Sequence, residues 1–266
     1  MKLLCPICGE ILDRIEKQYR CGNGHSFDLA RQGYVNLLPV QQKRSLNPGD
    51  TREQVLGRRA FLETGCYEPI SNTLNETAKE LGATGPILDV GCGEGYYSAR
   101  LAEALGAELT GLDISKEAVR CAAAKYKGPQ WLCGTAAHLP VADQSAGVVT
   151  SLFALTMAEE FKRVLRPDGY FFQVLAAEDH LLGLKSIIYP ELKFKEKNTV
   201  PEVPGFELVK SVPIRFTFTV EGEQVQNLLG MTPHVFRITK EGAARLAATE
   251  KLTDTASAVL NVYRVV

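Results

Sequence analysis

The feature that most constrains the fold of this 266-residue chain is Leu88-Asp89-Val90-Gly91-Cys92-Gly93-Glu94-Gly95, with Asp113 a short way downstream. An apolar run, Pro86-Ile87-Leu88, leads into it, and a helix-like segment, Tyr96–Leu105, leads out. Strand, glycine turn and helix in that order are the opening unit of a doubly wound α/β sheet. Glycines let the backbone turn sharply and approach a ligand, because they have no Cβ to clash. The run Leu109-Thr110-Gly111-Leu112-Asp113 reads as the next strand. It ends in a carboxylate about 20 residues past the turn, placed to grip a ribose.

The elements that follow keep this alternation. Residues 115–126 read as a helix with Ala118, Val119, Ala122 and Ala123 on its inner face. Residues 130–134 read as a third strand, and 147–153 as a fourth, apolar enough to be buried on both sides. A helix over 158–165 stops at Arg166-Pro167-Asp168-Gly169, where proline cannot continue it, and a fifth strand spans 170–175. Strands are expected at 206–212, 214–220 and 258–265, and helices at 179–189, 225–231 and 239–250. The pattern predicts an α/β fold with a doubly wound, seven-stranded sheet. Ligands of such sheets lie beyond the carboxyl ends of the central strands, which gathers Asp89, Gly91, Gly93, Glu94, Gly95, Asp113 and the 134–139 loop around one site.

Composition excludes several classes. The chain is 45% apolar and 23% charged, the balance of an ordinary globular protein. No apolar run approaches the roughly 20 residues of a membrane helix, and the N-terminus lacks a secretory pattern, so a cytoplasmic location and no membrane partner are expected. The net charge of −1 rules out a nucleic-acid binder driven by overall charge. Residues 1–59, however, hold ten Lys and Arg against six acids, so that segment is +4 and the remainder −5. The asymmetry permits phosphate contacts through the N-terminal part; a solvated basic face is the plainer reading.

Three of the seven cysteines cluster in Cys5-Pro6-Ile7-Cys8 and Cys21-Gly22-Asn23-Gly24-His25. Two-residue gaps let a tight knuckle present two thiolates to one ion, so Cys5, Cys8, Cys21 and His25 are candidate ligands of a structural Zn2+. A disulfide is the alternative, disfavoured in a reducing compartment. A unit of about 30 residues cannot build an adequate core unaided, and a metal is the usual remedy. Between the knuckles a small hairpin is expected, with Ile11, Leu12, Ile15 and Tyr19 partly covered. A polar, basic stretch follows over 41–50, with Lys43, Arg44 and a turn at Pro48-Gly49, and a helix starts at Thr51-Arg52-Glu53. The expected organisation is a zinc module over 1–36, a basic linker and helix over 37–60, and a cofactor domain over 61–266.

Gly91-x-Gly93-x-Gly95 preceded by Asp89 departs from the dinucleotide pattern and resembles the first motif of class I S-adenosylmethionine (SAM)-dependent methyltransferases. That resemblance implies SAM, with the turn around its methionine part and Asp113 on its ribose. The order of motifs is closer still to one family. Cys-x2-Cys, Cys-x3-His-x-Phe-Asp, Gln32-Gly33-Tyr34-Val35-Asn36-Leu37-Leu38 and Arg58-Arg59-Ala60-Phe61-Leu62 precede the turn. Lys185-Ser186-Ile187-Ile188-Tyr189-Pro190 and Met231-Thr232-Pro233 follow it. Over nearly its whole length the chain resembles the bacterial 23S ribosomal RNA (guanine-N1)-methyltransferases. The resemblance implies a zinc module for RNA recognition and methylation of one guanine in a 23S rRNA hairpin. It also places Tyr67 and His180 near the cofactor; the acid usual in the third-strand loop is missing here, and Thr135 or a backbone carbonyl is the candidate in its place. A homodimer is one option for the assembly. Cys66 stands where the family has His, and Leu155 where it has Pro in a loop facing the acceptor. Phe153, Tyr96 and Tyr97 are candidates to hold the base, and no catalytic base is evident. A small-molecule methyltransferase and a non-catalytic SAM- or RNA-binding module are the competing readings.

Overall fold

Alternating apolar positions decide which side of the sheet each residue serves. Ile87 and Leu88 are neighbours in sequence, both fully buried, and they enter two different cores; Phe171 and Phe172 do the same. The computed structural model describes residues 1–43, 45–192 and 196–266; Arg44 of the expected basic loop lies outside the described residues.

A small N-terminal sheet comes first, with β1 (Leu3–Leu4), β2 (Ile11–Ile15), β3 (Gln18–Cys21) and β4 (Ser26–Asp28) in that order. Then come β5 (Tyr34–Asn36), α1 (Arg52–Leu62) and α2 (Glu68–Glu80). Thr51 caps α1 in a full capping box with Gln54, which holds two otherwise unpaired backbone donors. The central unit is β6 (Ile87–Val90), α3 (Tyr96–Leu105), β7 (Leu109–Asp113), α4 (Lys116–Lys125), β8 (Gln130–Cys133), β9 (Ala146–Leu152), α5 (Ala158–Val164) and β10 (Leu165–Ala176). The chain ends with α6 (Leu182–Ile188), β11 (Phe206–Glu221), α7 (Glu223–Gly230), α8 (Lys240–Ala247) and β12 (Lys251–Val265).

The large sheet has the order β11-β12-β10-β9-β6-β7-β8-β5. Strands β10, β9, β6, β7, β8 and β5 are parallel, and β12 runs antiparallel to both its neighbours. Seven of the eight strands answer the expected count. The eighth, β5, comes from the N-terminal segment and pairs Tyr34–Asn36 with Trp131–Cys133 at the edge. Three residues after a glycine turn gave no periodicity from which to foresee it.

One core lies under α2, α3 and α4 and includes Phe61, Ile70, Leu74, Leu101, Val119, Trp131 and Phe172. On the other side, Leu88, Val90, Leu112, Leu132, Val149 and Phe171 meet Phe161 and Val164 of α5. The β8–β9 crossover, residues 134–145, contains no helix to cover its share of that face. The N-terminal module covers it instead, burying Leu3, Leu12, Tyr19, Val35 and Leu37 in the same core. Each such side chain contributes about 1.5–3 kcal/mol. Backbone bonds fasten the module, Leu4 N–H to the Pro140 carbonyl at 2.9 Å and Ala142 N–H to the Lys2 carbonyl at 3.1 Å.

The structure corrects some details. In the β2–β3 hairpin Leu12 and Tyr19 are buried while Ile11 and Ile15 remain exposed, as strand alternation requires. The strands expected at 206–212 and 214–220 are one strand, β11, running through Pro213. It lies at the sheet edge, where one side of the backbone needs no partner and a proline is tolerated. Helix α2 had not been foreseen; its polar face dominates the segment.

Candidate functional site: a cavity at the carboxyl ends of the strands

The cofactor turn is built on left-handed backbone. Gly91, Gly93 and Gly95 have φ of 85°, 56° and 85°. A Cβ at Gly91 would stand 2.6 Å from the Ala154 side chain, and one at Gly95 would stand 2.7 Å from the Trp131 ring. Trp131, held by its indole N–H on the Tyr126 carbonyl at 3.0 Å, is the floor beneath the turn. Asp113 is aimed by two backbone N–H donors, Gly93 at 2.9 Å and Ser115 at 2.8 Å. Asp89 accepts from Thr150 at 2.7 Å and from Ser98, tying the turn to β9 and α3.

These residues face a cavity of about 2000 Å3. Of the sequence candidates, Tyr67, Asp89, Gly91, Gly93, Glu94, Asp113, Thr135 and His180 line it. Gly95 does not; it sits behind the wall against Trp131 and serves the turn's packing. Burial pushes the carboxyl groups of Asp89, Glu94 and Asp113 above their ordinary range, Asp89 to about 6. Three acids, Asp89 and Glu94 buried and Asp113 half-buried, thus line a wall suited to a positively charged or hydroxyl-rich partner. Burial and the nearby Lys185 and Lys197 hold His180 neutral, down to about 4; its Nδ1 accepts the Ser257 N–H at 3.1 Å, so Nε2 carries the proton, 3.5 Å from Tyr67 Oη. Tyr67 itself is buried in an aromatic cluster with Phe61, Phe216 and Phe218. Thr135 uses its hydroxyl on the Ala137 N–H at 3.3 Å.

The residues fit SAM on observations independent of motif. The buried Tyr97 hydroxyl lines the cavity with no hydrogen-bond partner, an orphan that a ligand's polar end would satisfy. The glycine cradle leaves space that side chains would fill. The linker, missed as a site element by sequence reasoning, forms the roof: Gln41, Gln42, Pro48, Gly49 and Asp50 line the cavity, and Ser115 Oγ donates to the Asp50 carbonyl at 2.7 Å. Arg58 of α1 pairs with Asp50 at 2.5 Å and stands beside Gly93. Only the proximity of that helix to the turn in the fold, not its spacing in sequence, reveals this.

Beyond the turn the wall changes character. Phe153 is 41% exposed with φ of 55°, a conformation that a phenylalanine rarely adopts, and its ring lies over His180 at 6.1 Å. Leu155, the residue in the place of the expected proline, is 78% exposed at the rim. Tyr96 faces away from the cavity, under the Arg100 guanidinium. Cys66 lies outside the lining, its Sγ 3.9 Å from the Thr219 carbonyl.

A second constellation sits in the N-terminal module. The ligand atoms of Cys5, Cys8, Cys21 and His25 all lie within 4.8 Å of one another. Cys8 and Cys21 sulfurs are 3.7 Å apart, and His25 Nδ1 is 3.6 Å from Cys5 and 3.4 Å from Cys21. The edges of a zinc tetrahedron with ordinary Zn–S and Zn–N bonds are about 3.6–3.8 Å, so four protein ligands fill one site with no open position.

Comparison with known proteins gives the same two parts. Residues 3–46 match the family described as "RlmA, N-terminal", a zinc ribbon, and residues 88–173 match "Methyltransferase domain". The 23S rRNA (guanine(748)-N(1))-methyltransferase of Streptomyces fradiae is 32% identical over 92% of this chain and 90% of its own. The chain belongs to the 23S rRNA (guanine-N1)-methyltransferase family. A proposed member from Micromonospora griseorubida is 33% identical over 98% of this chain and 97% of its own. Another, from Bacillus subtilis, is 29% identical over 91% and 89%. Membership of the family makes this a SAM-dependent methyltransferase with a structural zinc ribbon, in which SAM supplies the methyl group as an electrophile on a sulfonium.

Proposed function

We propose that this protein methylates N1 of one guanine in a hairpin of 23S ribosomal RNA. The observation that carries the reading is the two-part cavity. Its acid-lined half supports SAM as the cofactor, and beyond the exposed Phe153 the same cavity, about 2000 Å3 in all, continues to a rim at Leu155. The relatives, similar over nearly the whole chain and including the zinc ribbon, support RNA as the acceptor.

In the proposed reaction Asp113 would hold the cofactor's ribose hydroxyls. Asp89, Glu94, Gly91, Gly93 and Tyr97 would hold its amino-acid end, with Tyr67 and His180 on the side toward the acceptor. A guanine turned out of its loop stacks on the exposed face of Phe153. Bound SAM would supply the methyl group, the N1–CH3 bond replacing the sulfur–CH3 bond, and N1 would give up one proton to solvent per methyl transferred. The neutral His180 and the apolar Phe153 keep that junction free of competing charge, so orientation and exclusion of water supply most of the acceleration. Cys5, Cys8, Cys21 and His25 hold zinc away from this reaction.

Incubation with SAM and unmodified 23S rRNA, followed by primer extension, tests the reading. An N1 methyl blocks Watson–Crick pairing, so one new stop at a hairpin guanine is expected. Methyl transfer that yields no stop, or none at all from the cofactor, rejects it. No helix among the described residues is long and apolar enough to cross a membrane.

A further inference from the structure

Two segments singled out by the sequence, Lys185 to Pro190 and Met231 to Pro233, take no part in the cofactor half. The fold brings them together. Tyr189 Oη lies 2.8 Å from His234 Nδ1, and the two rings meet edge to face with centroids 5.5 Å apart. Both line the cavity's far wall together with Lys185, Lys197 and Arg237. The two lysine ammonium groups rest on adjacent backbone carbonyls, Lys185 Nζ 3.4 Å from that of Glu178 and Lys197 Nζ 3.3 Å from that of Ala177. Among the described residues, no carboxylate lies within 4 Å of any of these three cations.

Cations gathered on one wall with no ion-paired carboxylate repel one another; Lys185 is half-buried, and Lys197 and Arg237 are exposed. Burial and Lys197 push the Lys185 ammonium down, partly offset by the nearby carboxylates of Asp254 and Glu178, and burial, Lys185, Lys197 and Arg237 push His234 down. Such a cluster is relieved by an anion that arrives with the ligand. Guanine is neutral, whereas every nucleotide brings a phosphate. We propose that Lys185, Lys197 and Arg237 form a phosphate subsite for the RNA backbone beside the target nucleotide, on a wall fixed by the Tyr189–His234 pair. This rests on RNA being the acceptor. It gives the cavity a division in which one wall positions the backbone while Phe153 receives the base.

The test is steady-state methylation of a 23S rRNA transcript over a range of KCl concentrations by the Lys185→Gln/Arg237→Gln variant. Lys210→Gln is the charge-matched control, a residue on the outer strand paired with Glu80. Each neutralised phosphate contact contributes about 0.7–0.9 to the log–log salt slope, so the double variant is expected to lose about 1.5 from the slope of kcat/KM. KM for RNA rises about tenfold, while kcat and SAM affinity stay within about twofold; Lys185→Arg with native Arg237 restores the wild-type slope. An unchanged slope and RNA KM in an active double variant overturns this inference alone. So does a loss confined to kcat, which would put the cations on the reacting base rather than on phosphate. Wild-type protein that methylates no RNA removes the proposed function, and the subsite with it.

Discussion

In the cofactor half of the cavity Asp89 and Glu94 are buried, Asp113 is half-buried, and the backbone is folded so tightly that Ala154 and Trp131 leave no room for a Cβ at Gly91 or Gly95. In the acceptor half Phe153 and Leu155 stand out into the opening, and the cations Lys185, Lys197 and Arg237 share the wall with Glu178 and Glu191. The difference follows from what each half receives. A small cationic cofactor is held best by a site organised in advance, where no reorganisation is needed on binding. A base arriving on a structured RNA brings its own scaffold and charge, so its half is open and sparse.

The largest expected effect comes from stripping the zinc, or from Cys21→Ser. The module covers part of one sheet face and is continuous with the linker that roofs the cofactor half. Loss of metal should lower the melting temperature by at least about 10 °C, since one kcal/mol moves a chain of this size by about 2–4 °C. SAM affinity should fall with it, measured by calorimetry. A zinc-free protein that melts and binds SAM as before would break the link between module and cofactor half.

Next in size is Gly91→Val, which places a branched side chain at φ 85° against Ala154. A cost of about 2–4 kcal/mol and a loss of SAM affinity of at least about a hundredfold are expected. Equal affinity would show that this half is less rigid than the packing says.

The pH dependence sharpens the same point. Asp89 has its carboxyl raised by burial to about 6, above its unfolded value near 4. For the ligand-free protein, burying the charged form costs stability that is retained below about pH 4 and lost as pH rises to about 6. SAM binding runs the opposite way. A charged Asp89 would attract the ammonium of SAM held as proposed, so affinity should fall as pH drops through about 6, by up to about tenfold per unit. Asp89→Asn should flatten both curves, measured by thermal unfolding and by binding titration.

The smallest effect is expected at Leu155→Ala. An exposed rim residue contributes little to stability, within about 0.5 kcal/mol, and SAM affinity should stay unchanged. KM for RNA should rise about threefold if the rim touches the acceptor. A change in SAM affinity instead would erase the boundary between the halves.

The same contrast explains what could be read from sequence. Gly91, Gly93 and Asp113 are local: a strand, a turn and a carboxylate within about 25 residues announce their own geometry. Cys5, Cys8, Cys21 and His25 were legible for the same reason, their spacing being the chemistry. The acceptor wall was not, because Tyr189 and His234 are 45 residues apart in sequence and meet only through the packing of the C-terminal elements. Their segments stood out as motifs with no task attached. The roof over the cofactor was hidden similarly, since nothing in the polar stretch 41–50 says that it folds back onto Ser115. Strand β5 was missed because three residues carry no period, and Gly95 was placed in the site because the turn could be read but not the ring beneath it.

The N-terminal module's place on the sheet has a consequence for how the chain is made. Leu3 bridges Val141, and Tyr34 pairs with Trp131, so this N-terminal segment is made about a hundred residues before its partners. At translation rates of about 5–20 residues per second that is a wait of about 5–20 s. Throughout it Leu3, Leu12, Tyr19, Val35 and Leu37 have no sheet to lie against. A hairpin this small does not hold together alone over such an interval; an ion captured early would keep it in shape until its dock exists. Zinc present during synthesis is then expected to raise the yield of assembled protein more than zinc added afterwards, measured as folded, zinc-loaded protein from the two conditions.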